Sequence, residues 1–489
     1  MPLARVLIAN RGEIAVRIAR ACREAGIASV AVYSDADRTA LHTRAADRAV
    51  RIGPASPAES YLSVPAIMEA ARKSGADAIH PGYGFLSERA ELARACESAG
   101  IRFVGPPSDV IARMGSKIAA RELMRGAGVP IVPGGTPSDQ SDAGVLSAAR
   151  ALGYPVLIKA SAGGGGKGMR MVASDGEARE GIAAARREAE AAFGDGTLYV
   201  ERLIDRPRHV EIQVFADAHG NVVHLFEREC SIQRRHQKIV EESPSTAIAP
   251  DVRERMGGAA VAAARAANYR SAGTIEFLVE GTSTFYFLEM NTRLQVEHPV
   301  TEAVTGVDLV HAQLAVAAGD PLPWTQGQLS QRGHAIECRI YAEDPEREFL
   351  PQAGPLLLYR EPSGPGIRID AGVVEGDRVG VNYDPLLAKL VAYGETREIA
   401  AARAVEALTS YPVLGIRTNI SFLARLLQHD AFTSGRLHTG LVGEILPQLT
   451  ADEDGDPPVE AIAAAALATQ RADDTSAHDP WSALRRWGR

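Results

Sequence analysis

Three glycines, Gly26, Gly75 and Gly100, each close a stretch of helical period and each stand just before a short run of β-forming residues. Glycine adopts the left-handed backbone that ends a helix, so this placement marks helix, cap and strand in repeated order. The β-type runs cover residues 5–9, 29–33, 78–80 and 102–104, and the helical segments include 13–25 and 64–74. Strands alternating with helices bury a parallel sheet between helical layers. Residues 1–113 are therefore expected to form a doubly wound α/β unit.

From about residue 114 the rhythm changes. A helix ending near Gly126 leads into the connector V-P-I-V-P-G-G-T-P, then another helix and a strand over 154–161. Residues 208–226 read as a hairpin turning at 218–221, and 274–291 as a second hairpin turning at the G-T-S of 281–283. Helical period returns at 252–267 and 303–318. Beyond Gly333 come strands separated by glycine and proline, then helices over 397–408 and 419–427, an α+β pattern. The run A-D-E-D-G-D-P-P at 451–458 reads as a solvated linker before an alanine-rich stretch. The expected units are 1–113, 114–332, 333–447 and a tail over 448–489. Three folded units suit 489 residues at roughly 150 residues per hydrophobic core.

Bulk charge narrows the chemistry. A formal net charge of −8 argues against broad nucleic-acid binding, so any phosphate site must be local. The four cysteines, Cys22, Cys96, Cys230 and Cys338, lack the spacing of a zinc site or a disulfide framework. The apolar run at 6–9 is too short for a secretion signal or a membrane span, and a cytoplasmic location is expected.

The glycine run A-G-G-G-G-K-G-M-R at 162–170 follows a strand that carries Lys159. Gly163, Gly165 and Gly168 satisfy G-x-G-x-x-G, but M-R-M-V continues as a strand and not as the helix a dinucleotide site needs. A Walker loop fails too, because Lys167 is followed by Gly168 and Met169. What remains is a hairpin lid whose backbone wraps a polyphosphate, with Lys159 as its point charge. In the 274–291 hairpin, Glu276 and Glu289 are expected to lie opposite one another to within about one position. Facing carboxylates among apolar residues call for a cation, and with Asn291 they offer the oxygen-only set suited to Mg²⁺. Glu289, Asn291, Arg293, Gln295 and Glu297 fall at every second position, so an extended chain puts them on one face. Metal ligands, a guanidinium, an amide and a carboxylate in that order suit a metal-nucleotide beside a small oxyanion. The basic run at 229–238 (E-C-S-I-Q-R-R-H-Q-K) reads either as an anion site or as a solvated turn neutralised by Glu241 and Glu242. H-P-G-Y-G-F-L-S-E at 80–88 stands at the carboxyl end of an expected strand, where open α/β sheets place ligands.

These strings, together with V-L-I-A-N-R-G-E-I-A, R-H-V-E-I-Q, E-M-N-T-R-L-Q-V-E-H-P-V-T-E and E-C-R-I-Y-A-E-D-P, resemble those of biotin carboxylases within the ATP-grasp superfamily, over roughly residues 1–447. The resemblance implies an N-terminal α/β unit, a central ATP-grasp with a lid near 134–204, and a C-terminal α+β unit. It implies that ATP phosphorylates bicarbonate to carboxyphosphate, whose CO₂ is captured by N1 of biotin. By position, Lys117, Lys159, Gly165, Gly166, Glu201, Leu203, His209, Gln233 and His236 would bind ATP, and Glu276, Glu289 and Asn291 would hold Mg²⁺ or Mn²⁺. Lys238, Arg293, Gln295 and the backbone of Val296 would bind bicarbonate. Glu297 would be its base, Arg339 would stabilise the biotin enolate, and Tyr83 would line the biotin pocket. None of the eight methionines is followed by lysine, so the A-M-K-M signature of a biotinyl domain is missing. Biotin is therefore expected on a carrier protein or domain in another chain, or on the rest of a longer chain, beside a carboxyltransferase subunit. Relatives are commonly homodimers, and the stretch V-E-A-L-T-S-Y-P-V-L-G-I leans toward acyl-CoA carboxylase α chains. Another ATP-grasp ligase and a catalytically silent scaffold subunit are the alternative readings.

Overall fold

The computed structural model describes residues 2–161 and 169–450. Gly165 and Gly166, and the tail from residue 451, lie outside the described residues. The first unit is a five-stranded parallel sheet in the order Arg48–Gly53, Ala28–Ser34, Arg5–Ile8, Ala78–His80, Arg102–Phe103. Gly75 and Gly100 cap the helices Val64–Ser74 and Ala90–Ala99 in the left-handed conformation, as their spacing predicts. Strand order reverses between Arg5–Ile8 and Ala78–His80. At such a switch point the two crossovers leave in opposite directions and open a crevice at the carboxyl ends of the strands. Asn10 ties that crevice together, its Nδ2 donating to the carbonyls of Pro81 and Tyr83, each at 2.7 Å. Gly82 must be glycine: its φ is +61°, and a Cβ there would stand 2.8 Å from the Asn10 amide.

The rest of the chain is organised by an eight-stranded antiparallel sheet. Its order is Thr284–Asn291, Ser271–Glu280, Arg208–Ala216, Val222–Arg234, Gln237–Ser243, His334–Tyr341, Leu386–Gly394, Ile367–Ala371. The sheet runs through position 332/333, since Gln237–Ser243 bonds directly to His334–Tyr341. Val210, Ile212 and Val214 alternate onto one face. There they meet helix Pro250–Ala266 through Val252, Met256, Ala260 and Ala263, and Phe277 stacks edge-on against Phe285 at 5.4 Å. A smaller antiparallel sheet joins Gly134–Gly135, Leu198–Arg202, Val156–Ala160 and Met169–Val172, backed by helices Asp142–Leu152 and Asp175–Phe193.

Two expectations are corrected. The helical period over 303–318 belongs to two helices, His298–Thr305 and Leu309–Ala318, broken where Gly306 turns left-handed at φ +71°. The extended face over 289–297 ends at Asn291. Glu297, at φ −79° and ψ 9°, is instead the residue that opens helix His298–Thr305, with Pro299 in its first turn. Between them Leu294 turns into the core with Phe215 and Val310. One buried leucine in a loop gives the same polar–apolar alternation as a half-buried strand.

The turn that bears Tyr83 depends on a neutral imidazole. His80 is fully buried, and its Nδ1 accepts the Gly82 N–H at 3.0 Å. Burial, with the Arg17 charge and against a contact to Gln313, pushes its pKa from 6.5 down to about 3. Below pH 6.5 the unfolded chain binds a proton that the folded chain refuses, so stability is lost as pH falls. This group alone should cost about 1.4 kcal/mol between pH 7.5 and 5.5. Urea unfolding at the two pH values should show the loss, and His80→Asn should reduce it by about that amount.

Candidate active site

Antiparallel register brings the charged residues into one row. Glu289 faces Glu276, Glu276 faces Glu211, and Glu211 faces Arg228, each pair directly opposite on neighbouring strands. The hairpin arithmetic is correct for Glu276 and Glu289, although a bulge follows immediately, with Phe277 opposite Phe287. Lys238, from the next hairpin, reaches into this row. Its Nζ donates to Glu211 at 2.6 Å, Glu276 at 2.8 Å and Glu297 at 2.6 Å. Burial works against the ammonium, but those three charges outweigh it and hold the Lys238 pKa well above the ordinary lysine value. Burial likewise opposes the charge on Glu276 and Glu297. Lys238 and His209 overcome it at Glu276, and Lys238, Arg339 and Arg228 at Glu297, so both stay well below the usual carboxylate range.

Arg228 is fully buried, and each of its five N–H donors has an acceptor. Nε donates to Glu211 at 2.6 Å, Nη1 to Gln213 at 2.7 Å and Thr301 at 3.0 Å, and Nη2 to Thr274 at 3.1 Å and Gln295 at 2.8 Å. Because Arg228 takes the Gln295 oxygen, the Gln295 amide N–H points at Glu276, 3.1 Å away. The guanidinium thus sets which end of Gln295 faces the carboxylate row.

On one side of the row lies a cavity of about 430 Å³ lined by Glu88, Lys117, Glu289, Asn291 and Arg293 among others. Burial and the Glu276 charge push Glu289 up to about 7 against the pull of Lys117, while burial lowers Lys117 against Glu289. A carboxyl so poorly compensated suits a divalent cation, and Glu276, Glu289 and Asn291 carry the oxygen types Mg²⁺ takes, although Asn291 turns its Nδ2 to Glu276 at 2.9 Å and its oxygen to Arg293. Arg293 is held beside them by Glu88 at 2.8 Å and Asn291 at 3.1 Å. His209 Nε2 stands 3.1 Å from Glu276, and its Nδ1 lies 2.7 Å from Gln233 Nε2. In the smaller sheet Lys159 pairs with Glu201 at 2.5 Å, and Arg121 binds the same carboxylate. The Leu203 N–H is spent on the Pro155 carbonyl at 3.3 Å. His236 stands exposed at a tight turn, φ +67°, and is not drawn into the buried cluster. Of the same basic run, Arg234 pairs with Glu343 and Arg235 with Glu348, so Glu241 and Glu242 do not neutralise the turn.

On the other side, Arg339 donates from Nη2 to Glu297 at 3.0 Å and from Nε to Glu241 at 2.7 Å. The Val296 carbonyl accepts from the fully buried Lys389 at 2.8 Å, and Lys389 Nζ lies 5.8 Å from the Tyr83 ring. Arg339, Val296 and Tyr83 line a second cavity of about 570 Å³, which occupies the switch-point crevice with Asn10, Arg11 and Glu13.

Sequence reasoning missed Glu88, Glu211, Arg228, Glu241 and Lys389. Glu211 had one usable signal, a lone carboxylate in the run H-V-E-I-Q-V, whereas Arg228 stands between two acids in F-E-R-E-C and had none. Removing the cation from such a buried pair leaves Glu211 short of a counter-charge. Arg228→Met should cost about 3–5 kcal/mol in urea unfolding. Arg235→Met, at the exposed turn, should change stability by less than about 0.5 kcal/mol.

Family models match along the chain in the same order: "Biotin carboxylase, N-terminal domain" over residues 2–111, "Carbamoyl-phosphate synthase L chain, ATP binding domain" over 116–325, and "Biotin carboxylase C-terminal domain" over 337–444. The chain is 52% identical over 438 residues to the biotin carboxylase of Halalkalibacterium halodurans, covering 90% of this chain and 97% of that one. It is 52% identical over 441 residues to the mitochondrial methylcrotonoyl-CoA carboxylase subunit alpha of Rattus norvegicus, but spans only 62% of that protein's length. Among solved structures, the biotin carboxylase domain dimer of Hydrogenobacter thermophilus 2-oxoglutarate carboxylase, in complex with MgADP, ADP and bicarbonate, superposes with a TM-score of 0.89 at 44% identity, covering 93% of this chain and 100% of that one. With nearly the whole of a biotin carboxylase matched at this identity, the chain belongs to the biotin carboxylase family of ATP-dependent ligases.

Proposed function

We propose that this chain carboxylates biotin with bicarbonate at the expense of ATP, and that the residues around Lys238 divide the work. The observation that carries the reading is the position of Glu297: one carboxylate oxygen is on Lys238, next to the metal-type pair, and the other is on Arg339, at the second cavity. Lys117, Lys159, His209, Gln233 and Glu201 supply polar contacts for ATP, with Leu203 and His236 at the margin. Glu276, Glu289 and Asn291 would hold Mg²⁺ or Mn²⁺, which would neutralise phosphate charge. Lys238, Arg293, the Gln295 amide N–H and the Val296 backbone hold bicarbonate. Its oxygen bonds to the γ-phosphorus as the bond to ADP breaks, and its proton passes to Glu297. At rest Glu297 is a weak base, because its own cations hold it low. A bound anion competes for Lys238 and returns basicity to Glu297 when substrate is present. Carboxyphosphate then releases CO₂ and phosphate; the phosphate takes the N1 proton of biotin, Arg339 stabilises the enolate so formed, and N1 takes the CO₂.

Biotin is proposed to arrive on a carrier protein or domain, and a carboxyltransferase to receive the product. A homodimer is proposed from the dimeric Hydrogenobacter thermophilus relative. Among the described residues no helix is long and apolar enough to cross a membrane. A cytoplasmic location is the proposal, with the mitochondrial names of several relatives as the competing one. Glu297→Gln keeps size and removes the base. It should lower biotin-dependent, bicarbonate-dependent ATP hydrolysis by about 10²–10⁴-fold, with ATP binding retained. Wild-type turnover in that variant would sink the assignment, and ATP hydrolysis that needs bicarbonate but ignores biotin would point to another ATP-grasp ligase.

A further inference from the structure

One carboxylate of the smaller sheet is shared by two cations, and the proposed roles account for only one of them. Lys159 and Tyr199 stand directly opposite one another on strands Val156–Ala160 and Leu198–Arg202, with Leu157 opposite Glu201, so Lys159 and Glu201 are diagonal neighbours on one face. Lys159 Nζ meets one Glu201 oxygen at 2.5 Å, and Arg121 Nη1 donates to the other. Arg121 Nη2 donates to the Val132 carbonyl at 2.9 Å, and both cations lie over the Tyr199 ring, 5.6 Å and 5.9 Å from its centroid. Arg121, Lys159 and Glu201 are all buried. Arg121 comes from helix Lys117–Gly126, four residues on from Lys117, which places the two on one face of that helix. After burial and Glu289, the charges that act most on Lys117 are those of Lys159 and Glu201, so the trio belongs to the electrostatic surroundings of the metal-side cavity.

Two cations on one buried carboxylate leave the trio with a formal positive charge in excess, which an incoming anion complements. A phosphate that takes up the Lys159 ammonium draws it away from Glu201. Were Lys159 the only partner, this exchange would strand a buried carboxylate without a counter-charge, and that cost would lower the affinity for the phosphate. Arg121 removes the penalty. Its guanidinium is fixed by Val132 and keeps hold of one Glu201 oxygen while the other is released. We propose that Arg121 is a positioning residue for the nucleotide, holding Glu201 so that Lys159 can exchange its carboxylate for a phosphate of ATP. The inference rests on the reading of Lys159 as an ATP contact.

Calorimetric titration of the full chain with the magnesium salt of a non-hydrolysable ATP analogue tests it, beside steady-state hydrolysis with ATP, bicarbonate and biotin each varied. Arg121→Met should weaken analogue binding about tenfold or more, the scale of one contact between charged groups, and raise KM for ATP in step, while KM for bicarbonate and for biotin moves by less than about twofold. Arg121→Lys, which keeps the charge, should bind more tightly than Arg121→Met. The decisive comparison is made in a Glu201→Gln background, where no carboxylate is left to strand: there Arg121→Met should change affinity by less than about twofold. If Arg121→Met does not fold, Arg121→Gln, which keeps a donor but not the charge, takes its place. Unchanged affinity in folded Arg121 variants would overturn the proposal. So would equal losses in the two backgrounds, which would make Arg121 only a support of the smaller sheet. A wild-type chain that binds no analogue overturns it together with the ATP reading, whereas hydrolysis that ignores biotin counts against the carboxylation reading alone, since the titration still decides Arg121.

Discussion

Lys238 and Arg228 grip Glu211 from two sides, and it is the carboxylate to which both cations donate. Lys238 meets three carboxylates within 2.8 Å, which would repel one another strongly were the ammonium removed. Arg228 has every donor filled, so its position is fixed by five partners on two strands, a loop and a helix. Buried ion pairs of this kind gain little over their desolvation cost and are weak sources of stability. Their benefit lies in orientation: charges held in place before a reaction need not reorganise during it. The large sheet is built around this requirement. Glu211 must face Arg228 on one neighbour and Glu276 on the other, and a one-residue slip of either strand would turn the row to the opposite face.

The parts of the molecule that obey local rules were readable. Glycine caps located the helices of the parallel sheet, and short connections fixed the hairpins closely enough to place Glu276 against Glu289. Glu297 was harder, because its role depends on leaving the strand. Its backbone angles open a helix, and the alternation that marked it is produced by Leu294 dipping into the core. Glu241 and Lys389 were hidden for a different reason. Their significance comes from strands far apart in sequence, Gln237–Ser243, His334–Tyr341 and Leu386–Gly394, meeting in one sheet. No single segment shows that Arg339 will stand between Glu241 and Glu297.

The two cavities share a wall. Arg293 lines both the metal-side cavity and the switch-point cavity, and Glu297 spans the same gap through Lys238 and Arg339. Arg293 stands in the loop that follows strand Thr284–Asn291 and is held from outside that loop. Its main partner is Glu88, which closes the H-P-G-Y-G-F-L-S-E segment, and the Glu88 carboxylate also accepts the Thr292 N–H at 3.1 Å. That segment begins at His80, turns at Gly82 and carries Tyr83 into the switch-point cavity. A shift of the Tyr83 turn therefore reaches Arg293 through Glu88, and with it the carboxylates of the metal side. The parallel sheet thus does more than lend a crevice: through one loop it sets the guanidinium that stands between the cavity lined by Lys117 and Glu289 and the one lined by Tyr83 and Arg339.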